Sequence, residues 1–571
     1  MVYAGANDGM LHAFYLGKLE LDGIWNVDPN KLYKKASLTD PSNVGRGKEV
    51  WSFIPKNVLP YLKHIADPNY CHIYSVDLSP YVFDASIGAP GSGDISNNVK
   101  DVNSWRTILI GGMRVGGACR KSDAVCSNCV KAPGVDLDGG GVTTDEEKSL
   151  GLSTYFALDI TNSLNHPEDP ASYPPQLLWE FSDPSLGFTS TGTSIVKINM
   201  KSDDSNSDGK FDGLDPSATT KNGKWFVVFG SGPTGPVSTA DHQFLGRSDQ
   251  NLKLFIIDLK NGPVAGSIWT KTTAEANAFA GSMINSTFDI DTDYQDDVVY
   301  VPYVKETGGT WTAGGVGRLL TREDLNPANW EWSKVIEGIG PVTSAVAKLQ
   351  DKRRGQLWLF FGTGRYYFEQ EPPDDREGQQ AIYGIKDPCY SIFKPNFELT
   401  AACPALGGLT DVTDIGDVPT DYTVINAMNG WFIDLNSCSD SAGTEITPAD
   451  CASSSVGYRT ERMITDPLAT TLGVVFFTTF KPKDNFCEPG GLSYIWASKY
   501  NTGGAAAGLL KGKAILQVST GKIEEVDLQS QFGEEGGRRS SGMEGVPPTA
   551  QGLSLITSPP PVKRTIHMRE R

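Results

Sequence analysis

The residues whose types and spacing could support chemistry lie in two short, oxygen-rich loops. The first loop, residues 204–215, has oxygen-bearing side chains at positions 1, 3, 5, 9 and 12 of its frame and glycine at position 6. This spacing is typical of EF-hand calcium loops, in which position 7 offers its main-chain carbonyl and about six to eight oxygens surround the ion. A solvated acidic loop is the alternative. The predicted ligands are Asp204, Asn206, Asp208, Lys210, Asp212 and Asp215.

The second loop, residues 289–297, has carboxylates at positions 1, 3, 5 and 9 and an amide at position 7. Tyr294 stands at position 6, where such loops usually have glycine, so we expect a different turn. Carboxylates crowded this closely repel one another unless a cation neutralises them. A charged strand edge is the alternative. The predicted Ca²⁺ ligands are Asp289, Asp291, Asp293, Gln295 and Asp297.

Residue patterns for catalysis are sparse. The six histidines show none of the paired spacings that bind a catalytic metal. His12 lies in an apolar strand pattern, and we interpret it as a hydrogen-bonded core residue. The sequence contains no nucleophile elbow, no phosphate-binding loop and no dinucleotide-binding fingerprint before a helix. We therefore predict that the protein is not an enzyme.

The elements that must position these loops are short strands. Three apolar runs, Trp105–Gly112, Trp225–Gly232 and Leu357–Gly364, each end in glycines. Such runs are typical of strands buried on both faces, as in the inner part of a propeller blade. A second pattern, a strand ending in an apolar-Asp pair and followed by a strand with tryptophan, recurs along the chain. The sequence therefore predicts an all-β propeller, and a pair of sandwiches or two smaller barrels is the alternative.

The domain organisation is also predicted from composition. A propeller grows by adding blades, so a chain of 571 residues can still form one domain. We assign residues 1–500 to the propeller, with long polar insertions in its loops. Residues 501–571 are rich in Gly, Ser and Pro and are predicted to form a partly packed or extended C-terminal extension. No signal peptide precedes Val2, so we expect the chain to be part of a longer protein.

Charge and cysteine usage narrow the function classes. The net charge of −18 argues against a nucleic-acid partner, because an acidic surface repels phosphate backbones. No apolar run reaches the length of about 18 residues that would predict a membrane span. Nine cysteines occur, an odd number, so at least one is free or pairs outside the chain. The local pairs Cys389/Cys403 and Cys438/Cys451 are predicted to be disulfides formed in an oxidising compartment.

A series of motifs along the chain resembles one protein family. The opening Val2–Phe14 segment, which contains Asn7-Asp8-Gly9 and His12-Ala13-Phe14, is the most specific motif. It is followed in the same order by Trp51–Pro55, Trp105–Gly112, Tyr155–Thr161, Leu178–Phe181, Phe360–Tyr366, Tyr383–Asp387, Gly430–Leu435 and Val475–Pro482. Over roughly residues 2–500 the sequence resembles the C-terminal propeller domain of the PilC/PilY-type tip adhesins of bacterial type IV pili.

This resemblance carries expectations about fold and function. It implies a modified seven-bladed propeller and a calcium site in the 289–297 loop, whose occupancy regulates pilus extension against retraction. It also implies roles in adhesion and twitching motility, minor pilins at the pilus tip as partners, and a place on the fimbrium at the cell surface, reached through the periplasm. In two respects the chain departs from the family. Val301-Pro302-Tyr303 replaces the usual Gly-Asp after the tyrosine, and the 204–215 loop has no family counterpart.

Two other classes of propeller remain as alternatives. A quinoprotein dehydrogenase also combines tryptophan-docked blades with calcium, but it typically needs an adjacent Cys-Cys pair, and this sequence has none. A carbohydrate-binding propeller stays open, because aromatic platforms for sugars resemble any exposed Trp or Tyr in sequence.

Overall fold

The structure is a computed structural model of the whole chain, and its description is confined to part of the sequence. The described residues are 1–21, 26–28, 31–33, 36–62, 74–88, 102–116, 153–183, 185–199, 223–234, 246–292, 294–366, 378–390, 405–451, 454–485, 490–506, 509, 512–519, 521–548 and 552–557. The chain divides into two compact units. The first comprises Met1–Phe279, Asp293–Asp296 and Glu323–Asn329, and the second comprises Ala280–Thr292, Asp297–Arg322 and Trp330–Arg571.

The first unit contains three sheets of antiparallel strands that follow one another along the chain. The first has the order β1-β2-β7, the second runs from β8 to β11 and the third from β12 to β15. Two hairpins, β3 with β6 and β4 with β5, lie in the connection between β2 and β7. The strands are β1 (Val2–Gly5), β2 (Leu11–Phe14), β3 (Lys18–Leu21), β4 (Asn26–Asp28), β5 (Lys31–Tyr33), β6 (Ala36–Thr39), β7 (Glu49–Phe53), β8 (Tyr81–Ser86), β9 (Trp105–Gly112), β10 (Tyr155–Asp159), β11 (Gln176–Phe181), β12 (Ser194–Ile198), β13 (Lys224–Gly230), β14 (Lys253–Asp258) and β15 (Ile268–Thr272).

In the described residues, the second unit contains three more blade-type sheets, antiparallel except for the parallel pair β24–β25, and one smaller sheet formed by β30, β31 and β35. In the fourth sheet β18, β19 and β20 are neighbours and β17 pairs with β18; the fifth has the order β21-β22-β23-β25-β24, and the sixth is built on β26-β28-β29-β33-β32 with β27 and β34 at its sides. The strands are β16 (Ala278–Ala280), whose first two residues belong to the first unit, β17 (Thr287–Phe288), β18 (Val298–Thr307), β19 (Thr310–Leu320), β20 (Glu331–Ile339), β21 (Ala347–Asp351), β22 (Gln356–Gly362), β23 (Ala381–Lys386), β24 (Thr410–Asp411), β25 (Gly430–Asp434), β26 (Arg462–Met463), β27 (Leu468–Ala469), β28 (Val474–Pro482), β29 (Gly491–Lys499), β30 (Gly512–Gln517), β31 (Ile523–Asp527), β32 (Phe532–Glu534), β33 (Arg539–Ser540), β34 (Met543–Glu544) and β35 (Leu553–Thr557).

The predicted number of seven blades is wrong, because the described residues form six blade-type sheets. Within the described residues, the C-terminal strands do not build a seventh meander. Instead β30 lies between β31 and β35 in a three-stranded sheet, so the last strand in sequence returns to pair with the first of the three. Apolar residues of this sheet, including Leu516 and Val526, pack with Phe476 and Ile495 of the sixth sheet. Its role is therefore to cover that sheet.

The all-β class and the strand positions are as predicted. The long apolar runs form β9, β13 and β22, and the later residues of each strand are buried throughout. Continuous apolar sequence gives such strands because both faces of the sheet are covered. Tryptophan in a returning strand also packs as expected: Trp179 on β11 is buried, and its indole Nε1 donates a hydrogen bond to the Leu259 carbonyl at 3.0 Å.

Helices contribute little to the described part of the chain. The α-helices are α1 (Thr161–Asn165) and α2 (Tyr422–Ala427), and the 3₁₀ turns are Lys56–Tyr61, Val102–Ser104, Pro327–Asn329, Ile415–Asp417, Pro448–Asp450 and Glu535–Gly537. Among the residues described, no helix has the length and apolar character needed to cross a membrane.

The disulfide predictions are supported where the structure describes the cysteines. Cys438 and Cys451 form a disulfide with a Cα–Cα distance of 5.9 Å, as predicted. Cys389 is also disulfide-bonded. Its predicted partner, Cys403, lies outside the described residues, so that pairing stays a prediction.

Candidate metal site

Three of the predicted ligands come together in the second unit, in the loop between β17 and β18. One carboxylate oxygen from each of Asp289, Asp291 and Asp297 lies within 4.8 Å of the other two. All three residues are half-buried. The first two flank Ile290, whose side chain is completely buried and anchors the loop in the hydrophobic core. The spacing in sequence therefore becomes a cluster of oxygens in space.

Local hydrogen bonds explain how the loop turns. The Asp289 carboxylate accepts a hydrogen bond from the main-chain N–H of Thr292 at 2.6 Å, which is the turn that Asp favours through its side chain. Thr292 and Tyr294 both have left-handed backbone conformations, with φ of 72° and 70°. A left-handed conformation is unusual for residues other than Gly, Asn and Asp. The loop thus makes its turn without the glycine of a standard EF-hand.

Asp297 joins the loop to the strand that follows. Its main-chain N–H donates to the Phe288 carbonyl at 3.0 Å, and its own carbonyl accepts from Thr321 N at 2.9 Å. One of its side-chain oxygens accepts from Ile290 N at 2.6 Å. The strand β18 begins at the next residue, Val298, as predicted. The position of the Asp297 carboxylate is therefore linked to the position of Val298, the first residue of β18.

The oxygen cluster has the chemistry of a hard-cation site. Ca²⁺ binds oxygen at about 2.3–2.6 Å, so two ligands on opposite sides of one ion lie up to about 5 Å apart. The separations among Asp289, Asp291 and Asp297 fall within that limit. Three carboxylates also supply the negative charge that a divalent cation requires, and the remaining ligands of such a site are usually main-chain carbonyls and water. The donor set therefore fits calcium.

The other predicted ligands are placed differently or lie outside the described residues. The side chain of Gln295 is buried and engaged: its Oε1 accepts from Asn199 N at 2.9 Å, and its Nε2 donates to Glu323 Oε2 at 3.0 Å. Its role as a ligand stays a prediction. The undescribed residues are Asp293 and all six predicted ligands of the first loop, Asp204, Asn206, Asp208, Lys210, Asp212 and Asp215.

Residues outside the loop support it through hydrogen bonds that no pattern in the sequence predicted. Gln350 on β21 donates from Nε2 to the Ile290 carbonyl at 2.7 Å. Lys348, on the same strand, donates to the Thr287 carbonyl at 3.1 Å. Tyr300 on β18 donates to Asp387 at 2.8 Å. Two of these residues lie in recognised motifs, Asp387 in Tyr383–Asp387 and Tyr300 as the tyrosine that follows the 289–297 loop, but neither motif indicated the hydrogen bond between them.

Comparison with solved structures shows the fold to be that of a β-propeller. The crystal structure of the Pseudomonas aeruginosa PilY1 C-terminal domain aligns with 98% of this chain and 90% of that domain, with a TM-score of 0.52 and 19% sequence identity. Among curated proteins, the chain is 23% identical over 542 residues to a type IV pilus biogenesis factor PilY1 homolog of Xylella fastidiosa, which aligns with 91% of the chain. It is 24% identical over 551 residues to the type IV pilus biogenesis factor PilY1 of Pseudomonas aeruginosa PAO1, which aligns with 88% of the chain.

These likenesses confirm the resemblance to the C-terminal domain of PilC/PilY-type proteins. No protein-family model matches the chain. The chain spans about a third of the length of the curated relatives, 31% of the Xylella protein and 35% of the Pseudomonas protein. The relatives are named as pilus biogenesis factors, and none of their names is that of an enzyme.

Proposed function

We propose that this chain is a calcium-binding propeller that takes part in type IV pilus biogenesis and catalyses nothing. The observation that carries the proposal is the convergence of Asp289, Asp291 and Asp297 in a chain that aligns with PilY1 proteins over about nine-tenths of its length. The relatives support the role in pili, and the carboxylate cluster supports the ion. The 204–215 loop is proposed as a second Ca²⁺ site on its spacing alone.

Calcium suits the 289–297 loop better than magnesium. Mg²⁺ requires a nearly ideal octahedron with bonds of about 2.0–2.1 Å and gives up its water reluctantly, whereas Ca²⁺ accepts flexible oxygen cages. The loop is anchored by the buried Ile290 and turns through two left-handed residues. These constraints make a compact octahedron difficult to form. We therefore expect a clear preference for Ca²⁺.

The ion would control where β18 begins. In its absence the three carboxylates repel one another, and this repulsion opposes the hydrogen bonds that shape the loop, such as those from Ile290 N to Asp297 and from Thr292 N to Asp289. The loop then opens locally, while the sheets keep their own hydrophobic cores. Local opening of this kind gives the 289–297 loop two conformations, one closed and one open, without unfolding the domain. It is the physical basis that we propose for regulation by calcium.

In the cell, this switch would bias pilus extension against retraction and so affect adhesion and twitching motility. The partners proposed are minor pilins at the pilus tip, with a host or abiotic surface as the receptor. The protein would be exported through the periplasm to the fimbrium. Disulfide bonds at Cys438–Cys451 and at Cys389 are consistent with an oxidising compartment.

Calcium titration of the purified chain tests the proposal. Calorimetry should detect two Ca²⁺ per chain and much weaker binding of Mg²⁺. Asp291→Asn should remove one of the two sites, while the control Asp417→Asn, which makes the same change of charge at an exposed position, should leave both intact. In the source bacterium, Asp291→Asn should alter surface pili and twitching while the protein is still exported. A chain that binds no Ca²⁺ at micromolar concentrations would refute the calcium function.

A further inference from the structure

Two hydrogen-bond paths lead from the 289–297 loop to the chain around Cys389. The first path starts at Ile290, whose N–H is bonded to the Asp297 carboxylate. The Ile290 carbonyl accepts from Gln350 Nε2 at 2.7 Å, and the same Nε2 donates to the Tyr390 hydroxyl at 2.9 Å. Tyr390 follows Cys389 directly in sequence and is buried with it in the same hydrophobic cluster as Ile290. One side chain thus bridges the loop and the cysteine segment.

The second path runs through β18, the strand that starts after Asp297. Tyr300 is completely buried, and its hydroxyl donates to Asp387 Oδ2 at 2.8 Å. The other carboxylate oxygen of Asp387 accepts from the main-chain N–H of Cys389 at 2.9 Å. Asp387 therefore holds the strand with one oxygen and the cysteine backbone with the other. Movement of either group disturbs the other.

A buried ion pair restrains Asp387, the residue at the centre of this second path. Arg318 Nη1 lies 2.5 Å from Asp387 Oδ1, and neither side chain is exposed to solvent. Arg318 Nε also donates to Ser333 Oγ at 2.9 Å, which fixes the guanidinium. Burial raises the pKa of Tyr300 well above its usual value, so this group stays a hydrogen-bond donor. A buried charge that loses its partner is strongly destabilised, so the network does not rearrange easily.

From these contacts we infer that the disulfide at Cys389 and the calcium site in the 289–297 loop are thermodynamically coupled. The inference rests on the proposed calcium function and adds a mode of regulation to it. The intact disulfide holds Tyr390 and Asp387 in place, and these residues hold the loop in the shape that binds the ion. Opening the disulfide lets the cysteine segment move, which weakens the support of Ile290 and Tyr300. Calcium affinity should therefore be higher in the oxidised protein than in the reduced protein.

Coupling of this kind is reciprocal. If oxidation of Cys389 tightens Ca²⁺ binding by some factor, Ca²⁺ must shift the dithiol–disulfide equilibrium by the same factor. We expect a factor of about 5 to 10, at the lower end of typical couplings between sites. Since tenfold in a two-electron equilibrium corresponds to about 30 mV, saturating Ca²⁺ should lower the reduction potential of this disulfide by about 20–30 mV.

The first test compares calcium affinity in chains that lack one disulfide or the other. Cys389→Ser should weaken binding at the 289–297 loop by about 5- to 10-fold in calorimetry. The matched control is the double variant Cys438→Ser/Cys451→Ser, which removes the disulfide that has no described contact with the loop. Wild-type affinity in this control, together with weakened binding in Cys389→Ser, supports the inference. Equal affinities in all three proteins overturn it.

A second pair of variants tests the bridge without touching a cysteine. Gln350→Ala removes the link between Ile290 and Tyr390 and should also weaken Ca²⁺ binding. Gln356→Ala on the neighbouring strand is the control, because its described side-chain contact is with the indole Nε1 of Trp358 at 3.1 Å. This pair keeps the inference testable if Cys389→Ser does not fold. Equal affinities for Gln350→Ala and Gln356→Ala would count against the bridge.

The reciprocal measurement uses a dithiol as reductant. Dithiothreitol gives two electrons and two protons to the disulfide, which becomes two thiols, and is itself oxidised to a cyclic disulfide. Differential alkylation and mass spectrometry of Cys389 should show that saturating Ca²⁺ shifts reduction to higher reductant ratios in wild type but not in Asp291→Asn. An unchanged midpoint in wild type refutes the coupling while leaving calcium binding intact. If wild type binds no Ca²⁺ at this loop, the proposed function itself fails.

Discussion

Replacing Asp466 by asparagine should stabilise the protein above pH 7 and leave its stability almost unchanged near pH 4. Asp466 is buried in the segment between β26 and β27, and one of its oxygens accepts a hydrogen bond from Ala345 N at 2.8 Å. Burial raises the pKa of this carboxyl from 3.8 to about 6, against smaller opposing effects of that hydrogen bond and of Lys348. Asparagine keeps an oxygen for Ala345 and carries no charge at any pH. The substitution therefore removes the ionisation while keeping this contact.

The sign and size of the effect follow from linkage. Because the folded-state pKa lies above the unfolded-state value, the native protein binds more protons between these two values. The contribution of Asp466 to the free energy of unfolding is therefore most favourable below pH 4, falls as the pH rises towards 6, and is constant above about pH 7. A difference of about two pKa units corresponds to about 3 kcal/mol. The advantage of Asp466→Asn should grow by about 2–3 kcal/mol between pH 4 and pH 8.

Chemical denaturation followed by tryptophan fluorescence measures this difference. Wild type and Asp466→Asn are compared at pH 4, 6 and 8, with Asp417→Asn as the control for loss of one negative charge at an exposed position. The control should show no comparable growth of stability with pH. If Asp466→Asn is instead less stable than wild type at pH 8, the attraction of the ionised carboxylate to Lys348 outweighs its burial, and the reasoning is refuted.

Three further predictions concern other parts of the fold. Hydrogen bonding to Glu49, with a smaller effect of Asp8, raises the pKa of His12. The stability that protonated His12 contributes should therefore be complete below pH 6.5 and be lost as the pH rises through the raised folded-state pKa. An NMR titration that finds an ordinary or lowered pKa for His12 would contradict this. Removing the Cys438–Cys451 disulfide should lower the free energy of unfolding by about 2–3 kcal/mol, as expected for a short closed loop, and an unchanged denaturation midpoint would disprove it. Trp179→Phe should cost about 1–3 kcal/mol because the Leu259 carbonyl loses its donor, and it should leave calcium binding unaffected.

Local patterns in the sequence predicted the strands well because two local features, apolar runs and the glycines that end them, define those strands. Continuous apolar runs and the glycines that end them are visible within about ten residues, and β9, β13 and β22 follow them closely. The number of blades depends on which distant strands pair. The return of β35 to β30 across the β31–β34 segment has no local signature, and the resemblance to a seven-bladed family gave the wrong number.

In the candidate site, too, the features set by neighbouring residues were predicted and those set by distant residues were not. The alternation of Asp289 and Asp291 and the later Asp297 predicted a cluster of carboxylates, and the structure brings these three together. Spacing cannot show what else competes for a side chain, so the bond of Gln295 to Asn199 N was missed. Gln350 was missed too, because it is 60 residues from the carbonyl that it supports.

The buried Arg318–Asp387 pair has a consequence for strand pairing. The blade-type sheets are built from similar apolar strands, and a shift by one residue would still place apolar side chains in the core on many strands. On β19, however, such a shift would turn Arg318 to the opposite face of the sheet. Asp387 would then stay buried without its guanidinium, which typically costs about 3–5 kcal/mol. The pair therefore favours a single strand register, where hydrophobicity alone would permit several.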